Sequence, residues 1–489
     1  MFLPVQDTSP QQDRGAKTGR RGAASPSLAK RCLPLLLATL GATSLHAQRL
    51  VAPAEEFVER RARLCAQLGG GSAAAAEEPT PARIEQLGTA LLFATSEPDA
   101  GVRLRQDHDF FYLTGNEDKN AILALEVASC RAWLFLPPQT AREASRDGWN
   151  WLYQEDAAER WGFEQIHPLH YFDEFLARRR VPGPQKLWVR LSERDLIDQS
   201  RTDAALFFAR RLSNPWAGQP SEDAWRIARL RERYPHYELR DVTPAIDELR
   251  MQKTRFEVEA LRRAGEISAR AIARSIAATA PGVWEYEIEA EATHEMIQSG
   301  AEWPAYPAIV GSGPNGIVWH YNRSDRQMQA GDLVVMDYGA SVAYQTMDIT
   351  RTWPVSGRFT ELQERAYRAV LEAQKAILAA MRPGVTREAT RQVAREVYER
   401  HGFDADKHFP GGAGHFVGMA VHDVGDYHRP REAGMVIAVE PIIEIPEEDL
   451  HIRIEDTVLV TEDGTLNLSA GVPKEIDELL ALVGRDAKR

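Results

Sequence analysis

Two stretches of the chain put acidic residues on strand patterns that otherwise read as buried. The apolar run Leu333, Val334, Val335 and Met336 delivers Asp337; a short polar connection follows, and Asp348 opens a second, β-branched run. Two such runs across a short connection predict an antiparallel hairpin that sets the two carboxylates side by side. Residues 435–439 repeat the apolar pattern and end at Glu440. Residues 451–460 alternate, so Arg453, Glu455 and Thr457 face one way while Ile452, Ile454 and Val458 face the other. Between the two stretches, the Gly-rich residues 411–424 carry His415 and His422. Unpaired buried charges are costly, so four carboxylates and an imidazole on such strands call for a compensating cation. Two divalent ions would balance the four negative charges.

The rest of the pattern divides the chain. Residues 55–68 have helical periodicity, and residues 69–81 read as a Gly/Ala/Glu/Pro loop. Residues 89–94, 110–114, 121–127 and 132–136 read as short strands, and residues 172–180 and 221–234 as helices. Together they predict a smaller α/β domain over residues 48–245, ahead of a second domain over residues 246–489. The second domain contains an internal repeat. Ala280-Pro281-Gly282-Val283 and Arg382-Pro383-Gly384-Val385 stand 102 residues apart, each between two helix-like segments. Amphipathic residues 257–278 and 361–381 precede the two turns. The duplication predicts two pseudo-symmetric halves with a site between them.

Charge and composition narrow the function classes. The chain has 489 residues, 44% hydrophobic and 27% charged, with a formal net charge of −12. These are globular proportions, and without a basic stripe no nucleic-acid partner is expected. Residues 1–47 differ: Lys30 and Arg31 precede the apolar residues 32–42, and Leu45-His46-Ala47 offers a cleavage site. This reads as a secretory signal peptide, with an apolar run too short to span a membrane. A disordered tail leading into a buried helix is the competing reading. Export, with a periplasmic location, leaves Cys65 and Cys130 free to pair if their Cα atoms come close enough.

The local contexts carry a family resemblance. Asp337 in MDYGA, Asp348 in MDITRT, His415 and His422 in GHFVGMAVHDVG, Glu440 in VEP and Glu455 in RIED resemble the motifs of the aminopeptidase P and prolidase group. These are dinuclear metallopeptidases with a pita-bread catalytic domain. The resemblance runs over residues 251–464, and the segment RQDHDFFYLTG (105–115) is similar to the amino-terminal domain of aminopeptidase P. It implies an α/β (α+β) protein in which Asp337 binds one ion, Asp348 and Glu455 bridge two, and His415 and Glu440 complete the second. Manganese is the first choice of metal, with zinc, cobalt or iron also compatible with an oxygen-dominated ligand set. The resemblance also implies that Glu440 moves the proton of the nucleophile and that His320 and His422 contact substrate. Arg453 would orient the metal-binding carboxylates. Asp423 and Asp456, beside motif residues, read as hydrogen-bonding residues rather than ligands.

The expected activity is removal of an amino-terminal residue ahead of proline, with a homo-oligomer, dimer or tetramer, implied. In it, the edge of the amino-terminal domain would help close a neighbouring subunit's site. A prolidase restricted to dipeptides is the alternative, and a non-catalytic peptide-binding module the third reading. Arg429 and Arg431 bear on that choice, because a dipeptidase needs a cation for the substrate carboxylate; on their polar loop both are expected to be solvated. Two departures from the family pattern stand out. Tyr344-Gln345 replaces the usual Gly-Tyr ahead of the second aspartate, and Ile442 replaces a Gly after Glu440-Pro441.

Overall fold

Apolar strands flanked by capped amphipathic helices build both parts of the computed structural model, which describes residues 49–69, 80–98, 102–180, 185–411 and 414–487. The signal-peptide expectation for residues 1–47, and most of the loop expected over residues 69–81, lie outside the described residues.

The amino-terminal part is a six-stranded mixed sheet. Its order is Gln165–Pro168, Arg131–Leu136, Ile122–Glu126, Thr89–Phe93, Gln185–Val189, Tyr237–Asp241. Three of the expected short strands form its antiparallel centre, with Leu91 opposite Ala124 and Ala124 opposite Trp133. The helix Ala54–Gln67 lays Phe57, Leu64 and Cys65 into this core, and Cys65 is bonded to Cys130 with Cα atoms 5.8 Å apart.

One element is of the wrong type in the sequence reading. Residues 110–114, expected as a strand, belong to the helix His108–Thr114. Asp107 caps it by accepting from the Phe110 N–H, and Gly115 ends it in the left-handed region at φ +66. Phe110, Tyr112, Leu113 and Thr114 are all buried, so this short helix has no polar face to reveal its period.

The duplication is visible in the second part. Helix Arg255–Ala278 turns at Gly282 (φ +93) into Glu285–Gln298, and helix Glu361–Ala380 turns at Gly384 (φ +92) into Arg387–Arg400. Thr254 and Thr360 start the long helices with capping boxes. Beneath the helices, Leu333–Asp337 runs antiparallel to both Thr350–Pro354 and Ile309–Ser312. In the other half, Val436–Val439 pairs with Asp456–Val460.

Two details of the strand reading change. The connection between Asp337 and Asp348 is not a polar surface loop but a buried hairpin of its own, Ala340–Val342 with Gln345–Thr346. Residues 451–460 are not one strand: Leu450–Arg453 pairs with Ile442–Ile445, and after Ile454-Glu455 the chain enters a different sheet as Asp456–Val460. Ile442 opens its strand fully buried and outside the left-handed region, so this chain has no need of a glycine there.

Candidate metal centre

Asp337 is the last residue of its strand and lies opposite Thr350, two residues beyond Asp348. Thr457 fixes Asp348 from the other half of the fold: its hydroxyl donates to the Asp348 carbonyl at 2.7 Å and accepts from the Asp348 N–H at 3.3 Å. His415 follows Gly414, where a Cβ would stand 2.0 Å from the Ala438 carbonyl oxygen, so only glycine lets this segment approach the strand. There the Ala438 N–H donates to the His415 carbonyl at 2.9 Å. The imidazole Nδ1 bonds to the Phe416 carbonyl at 3.0 Å and leaves Nε2 facing the acidic groups.

Five of the expected ligands converge. His415 Nε2 is 3.2 Å from Asp348 Oδ2 and 3.9 Å from both Glu440 Oε1 and Glu455 Oε1. Donor atoms of Asp337, Asp348 and Glu455 lie within 4.8 Å of one another, as do those of His415, Glu440 and Glu455. Asp348, His415 and His422 form a third such group, which gives His422 a place beside the cluster. Glu455 accepts from Thr350 Oγ1 at 2.6 Å with one oxygen, while its buried Oε1 has no hydrogen-bond partner among the described residues. Arg453 donates to Asp337 Oδ2 at 2.7 Å and to Thr350 Oγ1 at 2.9 Å. The sheet switch after Arg453 therefore still brings Arg453 and Glu455 together, through Thr350 rather than through a shared strand face.

The electrostatics agree with a site built for cations. Burial pushes Asp337 up to about 7 and raises Glu440, and burial with three neighbouring carboxylates holds Glu455 well above the ordinary range. Burial works to raise Asp348, but the bond and charge of His415, with His422 and Tyr306, together depress it. Burial works against the His415 imidazolium, yet Asp348 and Glu440 overcome it and push the group up to about 9. His415 in turn holds His422 down at about 4. Oxygen donors, one imidazole and an unsatisfied buried carboxylate oxygen fit divalent ions. They fit an apolar or purely hydrogen-bonded core much less well.

The remaining expected residues sit around this cluster. His422 places its ring 4.1 Å from that of His415, with Nδ1 3.8 Å from Asp203 Oδ2. His320 is exposed on the segment after Ile309–Ser312 and is not among the converging donors. Asp423 turns away into ion pairs with Arg250 at 2.5 Å and Lys253 at 2.8 Å, and Asp456 pairs with Arg351 at 2.6 Å. Arg431 departs from expectation: it is buried rather than solvated, lies 4.9 Å over the Phe416 ring, and has no partner for Nε and Nη1 among the described residues. An arginine's apolar stem and planar head allow this against an aromatic ring. Arg429, partly exposed, pairs with Glu248 and Glu432.

Two contributors were not read from the sequence. Buried Tyr306 donates to Asp337 Oδ1 at 2.5 Å and lies 2.8 Å from Asp348 Oδ1. Asp203 reaches His422 from the amino-terminal part. Tyr306 sits in an Ala/Pro-rich segment with no acidic neighbour closer than Glu302, so no local signal marks it.

Comparison with known proteins matches both parts. A model described as metallopeptidase family M24 matches residues 259–462, and one described as aminopeptidase P, N-terminal domain, matches residues 57–185. The chain is 33% identical over 466 residues to Xaa-Pro aminopeptidase of Escherichia coli strain K12, covering 88% of this chain and 97% of that protein. A Xaa-Pro dipeptidase of Pyrococcus furiosus is 36% identical over 247 residues, covering 50% of this chain and 70% of that protein. The structure of Pseudomonas aeruginosa aminopeptidase PepP superposes with a TM-score of 0.70 at 30% identity, covering 88% of this chain and 98% of that one.

Proposed function

The chain belongs to metallopeptidase family M24 and is a metal-dependent aminopeptidase; from that premise we propose that it removes the residue ahead of proline with a pair of divalent ions. The observation that carries the reading is the convergence of four carboxylates and His415 around the unpartnered Glu455 Oε1. In this reading Asp337, Asp348, His415, Glu440 and Glu455 would hold the ions. Bound divalent ions supply Lewis acidity for the scissile carbonyl and a nucleophilic water at neutral pH.

The protein's own groups do the rest. Glu440, partly exposed beside the cluster, would take the proton released by the nucleophile and pass it to the leaving nitrogen. His422, whose ring lies beside that of His415, donates a hydrogen bond to charge developing on the carbonyl oxygen. His320, on the exposed rim, contacts the peptide. Arg453 and Tyr306 hold the Asp337 carboxylate from two sides and so fix its orientation. A prolyl amide lacks the N–H that most peptidases bind, which makes a dedicated site necessary.

Manganese is the proposed metal, because carboxylate oxygens outnumber imidazole nitrogen in the ligand set. Export after cleavage near Gln48 and assembly as a dimer or tetramer belong to the same reading, the first supported by the composition of residues 1–47. Among the described residues no helix is long and apolar enough to cross a membrane.

One observation favours the dipeptidase alternative: Arg431 is a buried cation whose Nε and Nη1 have no partner among the described residues, and a substrate carboxylate would satisfy them. The amino-terminal domain favours the aminopeptidase, since the dipeptidase relative matches only half of this chain. Hydrolysis of Xaa-Pro-Xaa tripeptides and Xaa-Pro dipeptides with added Mn²⁺ tests both. The proposal expects the longer peptides to be cut at least as fast. Strict dipeptide turnover that is lost in Arg431→Ala would assign a prolidase instead.

A further inference from the structure

The strand that brings Arg453 to the metal centre carries a second polar group on the same face. In the hairpin of Ile442–Ile445 with Leu450–Arg453, Arg453 lies opposite Ile442 and His451 lies opposite Glu444. Residues two apart on a strand, and directly opposed residues, share a face. Glu444 and His451 therefore stand one repeat, about 7 Å, along the face that holds Arg453 against Asp337. The other face, with Ile443 and Ile452, is packed in the core.

Glu444 Oε1 accepts two hydrogen bonds, from Trp319 Nε1 at 2.5 Å and from His451 Nδ1 at 2.8 Å. The indole also packs edge-on to the imidazole, with ring centroids 6.2 Å apart. Trp319 immediately precedes His320, so the cluster borders the rim of the site on one side and the metal centre on the other. Its bonding is incomplete. His451 is 2% exposed, and its Nε2 has no partner among the described residues. Glu444 has 14% of its side chain exposed, and the bonds it accepts among the described residues are both to Oε1.

The charges are unbalanced in one direction. No Lys or Arg forms an ion pair with Glu444 among the described residues; its only ion-pair contact is His451. Burial holds His451 below its ordinary range; burial works to raise Glu444, but the bonds from His451 and Trp319 and the charge of Arg453 together hold that carboxylate below its ordinary range. Arg453, the nearest cation along the strand, is committed to Asp337 and Thr350. Glu444 is the partly exposed member of the cluster, and what satisfies a carboxylate without a cationic partner is a cationic donor.

We propose that Glu444, His451 and Trp319 form a specificity subsite for a basic side chain of the peptide, carried either by the residue ahead of the proline or by the residue after it. The subsite rests on the peptidase reading above and adds a substrate class to it. The ammonium or guanidinium group lies against Glu444, and Trp319 covers the alkyl stem. Glu444 tunes selectivity and takes no part in the bond-breaking step.

The test compares isosteric peptides. Lys-Pro-Ala is paired with norleucine-Pro-Ala, and Ala-Pro-Lys with Ala-Pro-norleucine, in wild type, Glu444→Gln and Glu444→Asp. In wild type kcat/KM should favour lysine over norleucine about tenfold at one of the two positions, the usual scale of a charge-assisted hydrogen bond. Glu444→Gln should bring that ratio to near one while leaving the norleucine rate within about threefold, and Glu444→Asp should restore part of the preference. A purely structural role would slow both members of a pair alike. A wild-type ratio near one at both positions, or a preference unchanged in Glu444→Gln, overturns the subsite and leaves the peptidase reading intact. No turnover of any of the four peptides overturns the peptidase reading, and the subsite with it.

Discussion

Tyr344, in the hairpin that leads into Asp348, stacks on Phe111 of the amino-terminal part with ring centroids 3.6 Å apart. Its hydroxyl accepts from the Gln106 N–H at 3.1 Å and donates to Glu117 at 2.8 Å, and Arg105 lies over its ring at 4.5 Å. Ala343 and Tyr344 both sit in the left-handed region, at φ +48 and +65. Side chains rarely adopt that region, so the tyrosine is held there by what it touches across the two parts. This gives the Tyr344-Gln345 departure a structural role: it ties the hairpin before Asp348 to the other half of the molecule. Tyr344→Ala should cost about 3 kcal/mol in thermal or urea unfolding, and Tyr344→Phe about 1 kcal/mol. Equal, negligible effects of both would remove the anchoring role.

The metal reading makes a paired prediction. Chelation should abolish activity and lower Tm together, because the ions neutralise clustered carboxylates. Glu455→Gln and Asp348→Asn should each abolish turnover, while Asp426→Asn, on a partly exposed segment, should change it little. Metal content measured beside activity checks this, and equal losses in all three variants would contradict the ligand assignment.

Metal binding should also weaken as pH falls. Asp337, Glu440 and Glu455 have raised proton affinity in the folded chain, so protons compete for the oxygens that would bind the ions. Titration with Mn²⁺ near neutral pH should release protons, and the apparent Kd should rise steadily below pH of about 7. A Kd independent of pH would rule this out.

Acid stability follows a different group. Asp456 is held at about 2 because Arg351 and Lys474 outweigh its burial. A folded-state pKa below the unfolded value contributes stability that is present above pH of about 4 and lost as pH falls towards 2. The shift is worth about 2 kcal/mol at neutral pH. Asp456→Asn should destabilise at pH 7 and flatten the fall in stability over that acid window, measured by urea unfolding across pH.

The Cys65–Cys130 bond closes a separation of 65 residues between the first helix and a turn of the central sheet. By chain entropy such a closure is worth about 4 kcal/mol. Reduction, or Cys65→Ser with Cys130→Ser, should lower Tm and leave the kcat of the folded protein nearly unchanged, since neither sulfur touches the metal centre. Unaltered Tm under reductant would mean that the pair is not bonded in solution.

Sequence by itself determined which carboxylates and which histidine meet. Asp337 and Glu440 each end an apolar run, and His415 stands beside Gly414, whose φ of +90 is a local requirement for glycine. Local pattern also set the paired helices and their Pro-Gly turns, because capping, periodicity and turn chemistry act within a few residues. Tertiary structure alone decided the rest. The helix His108–Thr114 is buried on all sides, so its aromatic run reads as a strand until its packing partners are known. The chain changes sheets at Ile454-Glu455 because Leu450–Arg453 and Asp456–Val460 have different partners, and pairing partners are distant in sequence. Burial of Arg431 against Phe416, the bonds from Tyr306 to two aspartates, and the meeting of Trp319 with Glu444 and His451 are likewise long-range contacts. No periodicity encodes them, because each depends on where two separately folded segments come to lie in space.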